Sequence, residues 1–204
     1  MGTLKIGVIM DPIEKINIDK DTTFVLMLEA QKRGHELYYM ELDDLSIRGT
    51  TPEAHFRRVS VARAKPHHEF KAAATKPLNW FDVILMRKDP PFDMKFFFAT
   101  QLLSLVDERK CLVVNHPRAL REANEKLYAL NFPQLIPPTF VSGNMKLLKT
   151  FMKEQGEEMV IKPLEGCGGS GVFYLSQKDR NTNALLETAT DNGKRPIMAQ
   201  RYIP

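Results

Sequence analysis

Lys162, followed after a turn by Gly166, Gly168, Gly169, Ser170 and Gly171, is the group of residues here whose types and spacing can do chemistry. Met159-Val160-Ile161 before the lysine and Val172-Phe173-Tyr174 after the glycines are apolar, β-branched or aromatic, so the loop joins two strands. Glycine has no Cβ, reaches φ > 0 and lets successive N–H groups approach an anion closely, while lysine adds a compact positive charge on a flexible stem. Together they make a cradle for a polyphosphate. The same stretch also reads as a glycine-rich hairpin turn, and the string alone does not separate the two.

Other glycine motifs fit less well. Gly166-Cys167-Gly168-Gly169-Ser170-Gly171 satisfies G-x-G-x-x-G, but a dinucleotide fingerprint opens a helix, and Val172-Phe173-Tyr174-Leu175 favours a strand. A phosphate loop of the Walker type needs Lys and Ser/Thr where Val172 and Phe173 stand. In protein kinases the glycine loop precedes the strand lysine, whereas here it follows.

A second set of polar residues stands at strand ends. Residues 4–10 form an apolar run ending at Asp11-Pro12, and residues 81–86 form another that runs into Arg87-Lys88-Asp89-Pro90-Pro91-Phe92-Asp93. Open α/β sheets bind ligands beyond the carboxyl ends of their strands, which makes Asp11, Arg87, Lys88 and Asp89 candidate substrate residues facing a cleft between domains. The plainer alternative is that the Pro-Pro turn leads into a helix starting at Asp93.

The elements that must position these groups follow from periodicity. Residues 4–10 read as a buried strand, and Asp19 or Asp21 caps a helix with Phe24, Val25, Leu28 and Ala30 on one face. Gly34 stops that helix and residues 35–40 form a second strand, which together make a parallel βαβ unit. Residues 45–48 and 55–61 pair as a hairpin; residues 62–79 are basic and lack a period, so an exposed, partly mobile insertion is expected, with His67 and His68 as surface residues. A helix over 93–108 turns Phe97, Leu102, Leu105 and Val106 inward, and is followed by a strand at 112–115 and a short helix at 117–122. Pro133, Pro137 and Pro138 mark a linker, after which come a strand at 139–141, a helix near 144–155, a strand at 159–162, the glycine loop, a strand at 172–176, a helix at 182–189 and a strand at 197–202. The fold class is α/β, with a first domain over 1–123 and a second over 124–204.

Composition narrows the functional classes. The 204 residues are 43% hydrophobic with a net charge of +4, enough for a real core and too little basic clustering for a nucleic-acid binder. No apolar run approaches the eighteen or so residues of a membrane span, and the amino terminus has no signal-peptide core, so a cytoplasmic protein is expected. Cys111 and Cys167 are too few for a disulfide framework or a cysteine zinc site and read as free thiols; Cys167 within the loop reads either as a small apolar residue or as a thiol whose oxidation alters loop closure.

The order of the pieces resembles a known family. Asn115-His116-Pro117 leading to a helix lysine at Lys126, the strand lysine Lys162, a glycine flap and a terminal apolar strand resemble the ATP-grasp carboxylate–amine ligases. Met10-Asp11-Pro12-Ile13, the Arg87 to Asp93 string, Asn124-Glu125-Lys126-Leu127 and Ile161-Lys162-Pro163-Leu164 are similar to the bacterial glutathione synthetases. The resemblance implies a parallel-sheet pre-ATP-grasp domain followed by the first part of an ATP-grasp domain. Lys126 and Lys162 match the phosphate-contacting lysines, Gly166, Gly168, Gly169, Ser170 and Gly171 the flap, and Gln200, Arg201, Tyr202 and Ile203 the hinge strand at the adenine edge. The implied reaction joins γ-glutamylcysteine to glycine through an acyl-phosphate, with ATP as a substrate and Mg2+ as the metal, in a homo-oligomer. The family's metal ligands, an Asp and a Glu-x-Asn pair, have no counterpart here and are expected beyond Pro204, with the 204 residues a fragment that is inactive alone. Other readings are a D-alanine–D-alanine ligase-like or ribosomal-protein-modifying ATP-grasp enzyme, or a non-catalytic nucleotide-binding module.

Overall fold

The computed structural model describes residues 2–166 and 168–204; the expectations for Cys167 lie outside the described residues. The chain divides into two compact units, Met1–Arg121 and Glu122–Pro204. Among the described residues these hold one sheet of seven strands and one of four.

In the first unit β1 (Lys5–Ile9), α1 (Thr22–Lys32) and β2 (Glu36–Met40) form the expected βαβ unit, with β1 and β2 parallel. Asp21 caps α1, its Oδ1 accepting from the Phe24 amide at 2.7 Å, and Gly34 ends the helix at φ +82°. Next come β3 (Leu45–Arg48), β4 (Thr51–Val61), β5 (His68–Pro77), β6 (Val83–Met86), α2 (Met94–Leu103), β7 (Leu112–Val114) and α3 (Pro117–Glu122). The backbone of the sheet runs β3-β4-β2-β1-β6-β7, with β5 on the far side of β4. β2, β1, β6 and β7 are parallel, and β3, β4 and β5 extend them antiparallel.

Alternation along β1 sends Ile6 and Val8 to the face covered by α1, with Phe24 and Met27, and Ile9 to the face covered by α2, with Phe96 and Leu103. The buried stripes match the expected ones in part, since Leu28 and Ala30 pack against the core around Phe24 and Val106 is buried. On α1 the buried residues are Thr23, Phe24 and Met27, while Val25 is exposed. On α2 the cap falls at Asp93, whose Oδ1 accepts from the Phe96 amide, and Phe96, Ala99, Thr100 and Leu103 turn inward and Leu105 outward. Three successive phenylalanines give no phase by themselves, and packing of Phe96, Ala99 and Leu103 against Ile9, Ile84 and Met86 sets it. Cys111 is a buried thiol whose pKa burial, helped by Asp82, pushes up to about 12.

Residues 62–79 are not the irregular insertion expected, because β5 occupies most of them and pairs with β4 along its length. A register shift between Arg57 and Val59 breaks the alternation, and only His68, Phe70 and Ala74 along β5 are half covered. Exposed Lys71 and Lys76 are typical of a protected edge strand. His67 and His68 are also more engaged than expected: His67 Nε2 lies 2.8 Å from Ile13 O, and His68 stands 3.7 Å from Glu14.

The second unit contains β8 (Thr139–Ser142), α4 (Met145–Glu154), β9 (Glu158–Pro163), β10 (Phe173–Ser176), α5 (Thr182–Thr190) and β11 (Ile197–Arg201). Its antiparallel sheet runs β10-β9-β11-β8. Leu148, Phe151 and Met152 of α4 and Leu186 of α5 pack against Met159, Ile161, Leu175, Ile197 and Ala199. That buries one face of the sheet.

Candidate functional site

The other face of the second sheet carries the candidate nucleotide residues. Side chains alternate along a strand, so with Met159, Ile161, Ile197 and Ala199 packed on the helices, Val160, Lys162, Met198 and Gln200 point the opposite way. Met198 pairs with Lys162 and Gln200 with Val160, while Thr139 and Val141 of β8 and Tyr174 of β10 fall on the same face by register. Lys162 Nζ donates to Gln200 Oε1 at 2.7 Å, Gln200 Nε2 donates to Thr139 Oγ1 at 2.9 Å, and Thr139 Oγ1 donates to Pro137 O at 2.7 Å. This relay fixes which end of the Gln200 amide meets the lysine. Val160, Met198, Val141 and Tyr174 supply an apolar platform beside it. The Tyr174 hydroxyl donates to Glu158 at 2.5 Å, which holds the phenol above its ordinary pKa, and its ring meets Tyr202 edge-on at 4.8 Å.

Sequence reasoning named Lys162 and Gln200 as candidates and did not name Val160, Met198, Val141 and Thr139, which share their face. The signal was available. Once Lys162 and Gln200 are taken to face the site, residues two positions away on the same strands must face it too.

Lys126 needs a different description from the helix lysine expected. It stands at the start of a 3-10 turn, Leu127–Asn131, because prolines at 133 and 137 leave no room for an α-helix. Asn124 fixes it: its Oδ1 accepts from the Lys126 and Leu127 amides at 3.0 and 2.9 Å, and its Nδ2 donates to Leu164 O at 2.9 Å. Lys126 Nζ then donates to Gly166 O at 2.8 Å and to Glu125 Oε1 at 2.7 Å. Lys126 thus meets the base of the glycine flap, while Lys162, on the strand that leads into the flap, is held on Gln200.

In the flap Gly166, Gly168, Gly169 and Gly171 all adopt positive φ, between +68° and +95°. Gly168 to Gly171 form a turn, which Val172 N closes on Gly169 O. At Gly171 a Cβ would also meet Pro163 Cγ at 3.1 Å. A glycine-rich turn of this kind, with the Lys126 ammonium at its base, can present backbone N–H groups to an anion. Gln200 and Arg201 close β11, and exposed Tyr202 and Ile203 follow it.

The strand-end residues of the first unit meet because β1 and β6 are parallel neighbours, with Ile9 opposite Met86. Asp11 Oδ2 accepts from the Asp89 amide at 2.9 Å, and Asp11 Oδ1 accepts from Lys88 Nζ at 2.9 Å. Arg87 Nε donates to Thr23 Oγ1 on the first turn of α1 at 3.1 Å. A cavity of about 530 Å³ opens there, lined by Asp11, Lys15, Lys20, Thr23, Arg87 and Asp89 among others. Lys88 lines a separate hollow of about 190 Å³ with Glu41, Asp43 and Lys95. Among the described residues no group of three His, Cys, Asp or Glu side chains could hold a metal ion, and no helix is long and apolar enough to cross a membrane.

Comparison with known proteins gives concordant results along the chain. Residues 4–121 match the family described as "Prokaryotic glutathione synthetase, N-terminal domain", and residues 125–204 match its ATP-grasp domain. A glutathione synthetase from Yersinia pestis is 46% identical over 202 residues, covering 98% of this chain and 63% of the relative. The glutathione synthetase of Escherichia coli K12 is 44% identical over 205 residues, covering 98% of this chain and 64% of the relative. The chain therefore spans a little under two thirds of the length of these curated relatives. Among solved structures, D-cycloserine synthetase DcsG superposes with a TM-score of 0.62 at 15% identity, over 98% of this chain and 59% of that one. A RimK domain ATP-grasp protein from Sphaerobacter thermophilus does so at 0.59 and 17%, over 98% and 64%. The α/β architecture is thus that of ATP-grasp proteins.

Proposed function

The chain belongs to the prokaryotic glutathione synthetase family, and we propose that it is part of an ATP-dependent ligase joining γ-glutamylcysteine to glycine, with glutathione, ADP and phosphate as products. Residues 1–123 act as the substrate-side domain and residues 124–204 as part of the ATP-grasp domain. The observation that carries this reading is that Lys126 is tied to Gly166 at the base of a flap of positive-φ glycines, while Lys162, on the strand that leads into the flap, stands with Gln200 on one sheet face beside Val160 and Met198.

A free carboxylate is a poor electrophile. Transfer of the γ-phosphoryl group of ATP to the cysteinyl carboxylate gives an acyl-phosphate; the glycine amine then attacks the carbonyl carbon, and phosphate leaves with the bonding electron pair. The protein positions the reactants and stabilises charge. Lys126 and Lys162 balance the triphosphate, the amides of Gly168, Gly169, Ser170 and Gly171 donate to its oxygens, and Val160, Met198 and Tyr174 flank the purine. The backbone of Gln200, Arg201, Tyr202 and Ile203 meets the adenine edge, and the Gln200 amide stands next to it. Asp11, Arg87, Lys88 and Asp89 serve the amino-acid substrate.

ATP-grasp ligases use Mg2+ with ATP, but the described residues do not assemble a site that fits the ion, and no step is assigned to it. The enzyme works in the cytoplasm on small-molecule substrates, as a homo-oligomer when full length. The test is ADP release and glutathione formation by a polypeptide that carries these 204 residues at the length of the relatives. Turnover requiring both γ-glutamylcysteine and glycine is expected. ADP release that is indifferent to both, or that responds to D-alanine instead, would refute the assignment.

A further inference from the structure

Side-chain hydrogen bonds cross the face of the second sheet opposite its helices, from β9 through β11 to β8. Gln200 stands directly opposite Thr139 in the register and diagonal to Lys162, whose own partner is Met198. Long side chains bridge such diagonals. The bonds from Lys162 to Gln200 at 2.7 Å, from Gln200 to Thr139 at 2.9 Å and from Thr139 to Pro137 O at 2.7 Å therefore share their members and act as one unit.

The direction of this relay is set at both ends, because a carbonyl only accepts and an ammonium only donates. Pro137 O takes the Thr139 hydroxyl proton, so Thr139 Oγ1 offers Gln200 lone pairs alone. The amide nitrogen of Gln200 must face Thr139 and its oxygen must face Lys162. The carbonyl end is anchored as well. Pro138 O accepts from the Arg201 amide at 3.0 Å, and both residues of the Pro137-Pro138 pair have a ring-locked φ. Gln200 is only 8% exposed, so an amide that loses Thr139 must leave its place to reach water, and its oxygen then leaves Lys162. A lysine held in this way gives up less rotamer freedom when a ligand arrives, and its remaining N–H donors are still available.

We propose that Thr139 is a positioning residue for nucleotide binding, which fixes the Gln200 amide and through it holds the Lys162 ammonium ready for a phosphate. Thr139 lies on β8, with β11 between it and the strand of Lys162, so it acts on the lysine only through Gln200. The part given to Lys162 rests on the proposed function; the relay rests on the three bonds and on the polarity that its ends impose.

The test is titration of fluorescent ADP, with ATP as competitor, into a polypeptide that carries these 204 residues at the length of the relatives. Thr139→Val keeps the branched shape and removes the hydroxyl, and is expected to weaken the nucleotide about fivefold, the worth of one ordinary hydrogen bond. Thr139→Ser restores the hydroxyl and should bring the affinity back to within about twofold of the parent. A cycle with Lys162→Met separates positioning from a general loss of stability. In the Lys162→Met background Thr139→Val should change the affinity by less than about twofold, because no ammonium is left to hold. Effects that multiply in the double variant, or a Thr139→Ser protein as weak as Thr139→Val, would overturn the proposal, since Thr139 would then act through the sheet as a whole. Nucleotide binding that falls with Lys162→Met and ignores Thr139→Val removes the relay and leaves the phosphate assignment. A parent polypeptide that binds no nucleotide, or an affinity that ignores Lys162→Met, removes the assignment of Lys162 and the proposal with it.

Discussion

Lys162→Met tests the nucleotide reading most directly. Lys162 projects from β9 on the uncovered face of the second sheet, and its Nζ is held 2.7 Å from Gln200 Oε1. A hydrogen bond involving a charged partner contributes about 1.5–3 kcal/mol, so deleting one contact to a phosphate should weaken nucleotide binding by roughly ten- to a hundredfold. Stability should move much less. Methionine keeps the length and apolar stem, the Gln200 amide keeps its bond to Thr139, and the lost acceptor partner costs about 1 kcal/mol, partly offset by removing a half-buried charge. The assay is titration of fluorescent ADP at fixed ionic strength with competition by ATP, alongside thermal unfolding of the same protein. An affinity within threefold of the parent, with the unfolding transition unchanged, would refute the assignment of Lys162 to the phosphates. A fall in affinity that merely follows a large loss of stability would refute it as well, because the residue would then be structural.

Two further outcomes follow from the geometry. Gly171→Ala forces a side chain into φ +72° and against Pro163, which should cost about 1–2 kcal/mol in the flap and weaken nucleotide binding; unchanged nucleotide affinity would show that the flap conformation is not the binding one. Burial, with His67 and then Arg57 and against the opposing pull of Glu14, holds the His68 pKa below the ordinary imidazole value. The unfolded chain therefore binds the proton more readily, so the contribution of His68 is fully present above about pH 6.5 and is lost as pH falls through the depressed folded value. His68→Phe should flatten the dependence of Tm on pH between 7 and 5, and an unaltered slope would show that another group carries it.

The sequence by itself determined most of the elements and pointed to Lys162 and Gln200, which the structure places on one sheet face. Strand alternation, the Asp21 cap and the Gly34 stop are local effects, set by side-chain periodicity and by which groups can satisfy a helix end within three residues. Lys162 and the flap glycines were legible for the same reason, since a strand lysine and positive-φ turns depend on near neighbours. Where the signal was non-local, the sequence was silent or misleading. The phase of α2 was set by packing of Phe96, Ala99 and Leu103 against the sheet instead of by Phe97, and the pairing of β5 was hidden by a bulge on its partner strand. The helix expected at Lys126 gave way to a turn tied by Asn124 to a carbonyl forty residues later.

Only the tertiary structure separated Arg87 and Asp89 from Lys88 and Asp11. Four adjacent polar residues at two strand ends look equivalent in one dimension. Parallel pairing of β1 with β6 brings Asp11 under the Lys88 to Asp89 turn and satisfies both of its oxygens, which turns Lys88 away and leaves its neighbours at the cavity. Which charge is already paired depends on contacts between segments nearly eighty residues apart, and no local pattern encodes that distance.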